Sequence, residues 1–478
     1  MFFLIISVYI LLIATIVILN KDKKFTKIFL SLFVSWWCGL LAISTLEDNL
    51  FPMSVSSYIY LLVIVVMFVL GYLYVINYKK IISRISEFIS KRTGKKMWNR
   101  YRVNSKFEIE EESKNTKALF NIYTYESGPI VWIIGIIIIL ILIYYKIRYD
   151  NLLQVYGEVY NRLIKYTLGM LFTSPLENII YIYIIEAIIN IFAVLLPIHI
   201  MNKKFKNPTI YISVILIYLS FAIGQGRLII FETMSYFVLI FIFYNCEQIL
   251  EVLKKKYILI ISIVVMFISL IFVLSLVRYN TDFTDINSII QNSKITIGHI
   301  FMYFTGPFRA FDYALNNNYR DIIVNSYGNT YGLSTICGLD EVLRNGINFL
   351  GIDIPVLNRF MGELTQQYVK IGPETSMNAF FTVGLNFYID FGVTGIIMLP
   401  FIYGGIIAFI VRKALKSKNV YMIIFMILNL YYAIFSSVRW YYQHGGTWTT
   451  FFIILFVYLI HKWYYNSQIY CKLKKKIL

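Results

Sequence analysis

Four arginines stand where an otherwise apolar chain has least use for charge. Arg227 closes the turn Gly224-Gln225-Gly226-Arg227 between two long apolar runs. Arg278 and Arg439 lie at the ends of other runs, and Arg309 falls in the half-apolar stretch "ITIGHIFMYFTGPFRAFDYAL" over 295–315. A guanidinium is a rigid planar fork that engages phosphate or carboxylate through two parallel hydrogen bonds, which an ammonium does not. Four such forks at one level could hold a pyrophosphate and stabilise the charge that builds on it as it leaves. Gly224 and Gly226 let backbone approach such a ligand, and the amides that open the next helix favour an anion. Taken singly, each arginine is better explained by snorkelling to lipid phosphates or by a loop carboxylate. The set is what points to a site.

The elements that would position them follow from composition. The chain has 478 residues, is 59% hydrophobic and has a mean hydropathy of +0.68, which excludes a soluble protein. A bilayer core of about 30 Å takes roughly 20 residues of helix. Apolar runs near 2–20, 26–46, 57–78, 129–147, 177–198, 208–223, 228–245, 258–277, 392–411, 420–438 and 447–465 predict an all-α polytopic membrane protein of about 11 transmembrane helices. The first run lacks a basic leader and a small-residue cleavage site, and is read as a span. Lysine-rich segments such as "KDKKFTK" (21–27), "NKKFKN" (202–207) and "KLKKK" (472–476) fall on one side, placing the N-terminus outside and the C-terminus in the cytoplasm. The net charge of +18 is then that of cytoplasmic loops, and no nucleic-acid partner is expected.

This topology gives three parts: 1–277, with spans 1–8 and a cytoplasmic loop at 79–128; 278–377, a large external loop; and 378–478, an outer-surface helix reaching about Asp390, then spans 9–11. It also sorts the cations. Of 13 basic residues on or near the external side, nine are arginine; of 31 inside, five are. Lysine serves where charge alone matters, so the surplus suggests that guanidinium geometry is wanted outside. The external loop balances seven basic against nine acidic residues and is no general basic patch.

Other residues carry weaker signals. Asp312, Glu363, Asp390 and His444 are candidate general bases, none distinguished from the rest. Glu186 and Glu232 lie within apolar runs and should face the bundle interior, as paired structural carboxylates or as part of a site. The four cysteines have no metal or redox spacing. With no P-loop, Asp-x-Asp pair, His/Cys cluster or G-x-S-x-G elbow, neither a metal nor a cofactor is expected. Chemistry of this kind needs a substrate that is already activated.

"GQGR" between two spans, "YFTGPFRAFDYAL" in a large outer loop and "NAFFTVGLNFYIDFGVTGIIMLPFIYGG" after it resemble the bacterial oligosaccharide repeat-unit polymerases, the O-antigen or capsular polysaccharide polymerase (Wzy) family. The resemblance implies a GT-C-like membrane glycosyltransferase, independent of metal, in the bacterial plasma membrane with its active site facing outside. It implies that Arg227, Arg278, Arg309 and Arg439 bind the substrate pyrophosphate. Arg227, Arg278, Arg439, Asp312, Asp390 and His444 are then the candidate catalytic residues. The implied partners are an undecaprenyl-pyrophosphate-linked oligosaccharide, membrane lipids and a chain-length-regulating membrane protein. A related ligase, another polyprenyl-linked sugar transferase and a lipid-linked glycan flippase remain as alternatives. Arg227→Lys is expected to lose most activity at normal protein levels; unchanged polymer from that variant would count against the two-pronged grip.

Overall fold

The computed structural model describes residues 1–478 except 21–22, 48–49, 94–128, 158–163, 166–169, 203–204, 224–227, 246–268, 270–271, 273–284, 374, 379, 418 and 461–478. About 81% of it is helix, as expected where no water is at hand to satisfy an open backbone. Among the described residues, six helices are long and apolar enough to cross a membrane. They are α1 (Phe2–Leu19), α2 (Lys24–Ser44), α3 (Val55–Thr93, apolar to Tyr78), α4 (Pro129–Tyr156), the continuous rod Pro175–Met201, and α14 (Val393–Ser417). That rod consists of α5 (Pro175–Ile180), a π-turn at Tyr181–Ile185 and α6 (Glu186–Met201). Four shorter apolar helices accompany them: α7 (Pro208–Ala222), α8 (Leu228–Tyr244), α15 (Val420–Phe435) and α16 (Gly445–Ile460). These ten coincide with ten of the eleven predicted runs; the run at 258–277 lies outside the described residues except at 269 and 272. The chain is thus an all-α membrane protein.

Local chemistry sets the helix starts. Ser174 and Asn207 accept hydrogen bonds from the amides of Glu177 and Thr209, each ahead of a proline in the first turn, and Asn419 does the same for Tyr421. The exterior stays apolar: Phe3, Ile10, Leu11 and Ile18 of α1 are exposed, as side chains facing lipid would be.

The central contact is α3 against α14, where glycines let two backbones meet. A β-carbon at Gly71 would overlap the Phe401 carbonyl oxygen, and one at Gly404 the Phe68 carbonyl oxygen. Neither neighbour is a movable side-chain tip. Gly404→Val is therefore expected to cost about 3 kcal/mol or more and to abolish the monodisperse peak of detergent-solubilised protein in size-exclusion chromatography.

The segment predicted as an external loop is a helical cap. It contains α9 (Ile286–Asn316), α10 (Tyr319–Ser326), α11 (Cys337–Phe349), α12 (Leu357–Thr365) and a hairpin of β1 (Val369–Lys370) with β2 (Ser376–Met377). Two sequence expectations change. The third helix does not stop at 78 but runs on to Thr93, into the predicted cytoplasmic loop. The predicted surface helix ending near Asp390 is α13 (Val383–Phe391), and it is buried almost throughout, because the cap covers it on one side and the bundle on the other. Gly392, at φ 59°, turns the chain from α13 into α14.

Candidate functional site

Arg439 and His444 share the turn that joins α15 to α16. Aromatic residues fix this turn to its surroundings: Trp440 Nε1 donates to the Thr335 carbonyl at 2.7 Å, Trp448 Nε1 to the Tyr442 carbonyl at 2.9 Å, and the Tyr442 hydroxyl to Asn429. Arg439 Nε donates to His444 Nε2 at 2.9 Å, with Nη2 at 2.6 Å from the same nitrogen. An acceptor Nε2 places the imidazole proton on Nδ1. Burial, and then the adjacent Arg439 charge, hold the His444 pKa well below its ordinary value, so the ring is neutral.

The sign of the pH dependence follows. In the unfolded chain this histidine takes a proton below about pH 6.5, while in the folded chain it does not. Its stabilisation is complete above that pH and is lost as pH falls below it, until the folded ring also protonates. The melting temperature of the wild type relative to His444→Gln is expected to fall as the pH is lowered from 7 towards 5 (from about half a unit above the free value to about one and a half below it); a constant difference would contradict a neutral His444.

Arg439 differs from four other arginines in what it does not touch. Arg148 pairs with Glu177 at 3.7 Å, Arg309 with Glu47 at 3.2 Å, Arg320 with Asp321 at 4.0 Å and Arg344 with Asp340. Half-buried Arg439 forms no such ion pair among the described residues; its nearest partner is an uncharged ring. A guanidinium held this way keeps its charge and its remaining N–H groups for a ligand.

Below the turn, Glu232 of α8 is buried, shares a hydrogen bond with the Tyr441 hydroxyl and lies close enough to Arg439 for their charges to interact. The Tyr441 hydroxyl is 2.8 Å from that of Tyr431. Glu186, also within reach of Glu232, is 3.4 Å from Lys165. Glu232 therefore faces the interior, as the cost of charge in an apolar setting requires, while Glu186 is partly exposed and paired.

On the other side the turn meets the cap. Glu341 of α11 accepts from the Tyr183 hydroxyl at 2.7 Å, from Asn358 Nδ2 at 2.8 Å and from the backbone N–H of Gly445 at 3.0 Å. Burial raises its carboxyl pKa, and these three donors act against that shift. Gly338 lies against the backbone of His444, where a β-carbon would come within 2.5 Å of the carbonyl carbon. Tyr183 lies in the π-turn of the Pro175–Met201 rod. Such turns re-aim side chains, here towards Glu341.

The remaining candidates are placed apart from this cluster. Arg309 is buried and spends its guanidinium on Glu47, the Phe51 carbonyl at 3.0 Å and the Ser44 carbonyl at 2.8 Å. One turn along α9, Asp312 accepts from the Ser54 amide at 3.0 Å and the Ser57 hydroxyl at 2.7 Å, capping α3. Together they clasp the end of α2 and the start of α3. Asp390 takes four hydrogen bonds from the loop below α11: Thr330 Oγ1 at 2.6 Å, Ser334 N at 2.9 Å, and Thr335 N and Oγ1 at 2.8 and 2.6 Å. These three hold the fold. Glu363 is exposed on α12. Arg227 and Arg278 lie outside the described residues.

Sequence reasoning missed Glu341, Gly338 and Tyr183 as neighbours of the Arg439–His444 turn, and Tyr441 as a partner of Glu232. No spacing links the first three to the turn; only the π-turn and the docking of α11 bring them there. Among the described residues, no three His, Cys, Asp or Glu side chains converge as metal ligands. Comparison with protein-family models, with curated proteins and with solved structures returned no match.

Proposed function

We propose that this chain is a membrane glycosyltransferase that joins oligosaccharide repeat units carried on undecaprenyl pyrophosphate at the outer face of the bacterial plasma membrane. The observation that carries the reading is Arg439, a half-buried guanidinium held by a neutral histidine and free of any carboxylate ion pair among the described residues. The runs on both sides of its turn are apolar, so an anion reaching it would arrive on a lipid. A hydroxyl of the incoming unit attacks the anomeric carbon of the growing glycan. The bond from that carbon to the pyrophosphate oxygen breaks, and the released undecaprenyl pyrophosphate takes up the hydroxyl proton. Arg439, joined by Arg227, which precedes α8 in sequence, stabilises the charge on the leaving group, and His444 fixes the plane of the Arg439 fork. Binding both lipid-linked substrates together supplies proximity. A chain-length-regulating membrane protein is the expected protein partner.

The test is deletion of the gene in its host, followed by mass spectrometry of the polyprenyl-linked glycans. Single repeat units accumulating at the outer face support the polymerase. Long glycan left on the carrier identifies a ligase instead, and single units trapped on the cytoplasmic face identify a flippase.

A further inference from the structure

Beside the Glu341 junction the cap opens into a cleft of about 620 Å³ between α11 and α12. That volume lies within the roughly 300–1,000 Å³ typical of small-molecule sites. Its walls carry Asn345, Asn358, Arg359, Glu363, Gln366 and Gln367, and Glu341 lies at its inner end. Much of this polar surface is unspent. The side chains of Arg359, Glu363, Gln366 and Gln367 enter none of the hydrogen bonds or ion pairs seen among the described residues, and all four are exposed. Asn358 and Glu341 are bonded to each other, so the inner end is fixed while the rim is free.

The composition of the rim selects a ligand class. Four carboxamides in all offer donors and acceptors side by side, the pattern that vicinal hydroxyls and acetamido groups require. Arg359 is offset by Glu363, so the rim attracts neither polyanions nor polycations. No large apolar patch lines it that would take an acyl chain. Tyr368, next to Gln367 in sequence though not in the cleft wall, is 77% exposed, an aromatic side chain of the kind that packs on the C–H side of a sugar ring. Glu341, a wall residue of the cleft, accepts from the Gly445 amide of the turn that carries Arg439 and His444.

We propose that this cleft is a carbohydrate subsite that holds the sugar portion of a lipid-linked substrate while its pyrophosphate lies at Arg439. The placement of the pyrophosphate rests on the function proposed above; the affinity of the cleft for sugar does not.

The test uses the full-length chain in nanodiscs, as wild type, as the Arg359→Ala/Gln367→Ala double variant and as Glu363→Trp, which fills the cleft from its rim. The altered residues are exposed, and unchanged melting temperatures are expected. The first probe is the delipidated repeat-unit oligosaccharide, released by mild acid from the host's lipid-linked pool and observed by saturation-transfer NMR. The second is the intact lipid-linked unit in a polymerisation assay. The expected result is saturation transfer to the sugar with the wild type and its loss with both variants. In the assay, KM should rise about tenfold or more with kcat nearly unchanged, because these contacts are made equally in ground and transition states. Wild-type KM and wild-type saturation transfer in both variants would overturn the subsite and leave the polymerase reading intact. Binding through the cleft by a wild type that joins no units would uphold the subsite and overturn the polymerase reading.

Discussion

Arg439→Lys is expected to reduce polymer formation by a factor of about 100 or more at unchanged protein levels, and Arg439→Gln to abolish it. Lysine keeps the charge but loses the planar fork, so it can neither donate twice to His444 nor present two parallel N–H groups to a phosphate. Losing one preorganised donor at developing negative charge costs about 3 kcal/mol in comparable oxyanion sites, and the lysine variant should lose slightly more because its ammonium is no longer oriented. His444→Ala should give a smaller deficit, since the guanidinium survives but its plane is no longer fixed. The readout is polymer per unit of membrane protein, by immunoblot and glycan electrophoresis. Full polymer from Arg439→Lys would show that charge alone suffices and would remove the reason for assigning a phosphate grip to this residue.

Asp390→Ala is expected to fail differently, by loss of the folded protein. Four donors from Thr330, Ser334 and Thr335 converge on this buried carboxylate, and truncation would leave them unpaired in a region closed to water. At about 1–3 kcal/mol for each unsatisfied buried group, the loss approaches the whole stability of an ordinary domain. Asp390→Asn, which preserves shape and part of the acceptor capacity, should fold with a lowered melting temperature and retain activity. A general base would behave in the opposite way: both variants would accumulate normally and neither would make polymer.

The membrane helices were legible because long apolar runs need no tertiary context; ten of the eleven recur as helices, several of them running past the predicted end. The cap was not. A run such as Val383–Phe391 reads as a helix on the outer surface, and its burial depends on α9 and the bundle closing over it from distant parts of the chain. The same limit applies to the side chains. Arg439 and His444 are five residues apart and could be read as a pair. The partners of Arg309 and Asp312, Glu47 and Ser54, are each more than 250 residues distant, and Glu341 is 104 residues from Gly445. An arginine that pairs with a far carboxylate and one that waits for a ligand look alike in a sequence. What separates them is the direct ion pair that one makes and the other lacks.

The seat of α11 on the Arg439 turn is backbone against backbone, Gly338 over His444. A contact of that kind takes no notice of side-chain chemistry apart from demanding that one position have none. Side chains such as Glu341 and Trp440 reinforce the join from either side, but a hydrogen bond can be rebuilt from another residue type whereas a missing β-carbon cannot. Mutational tolerance at Gly338 itself should therefore be close to none, since even alanine would press a β-carbon into the His444 backbone.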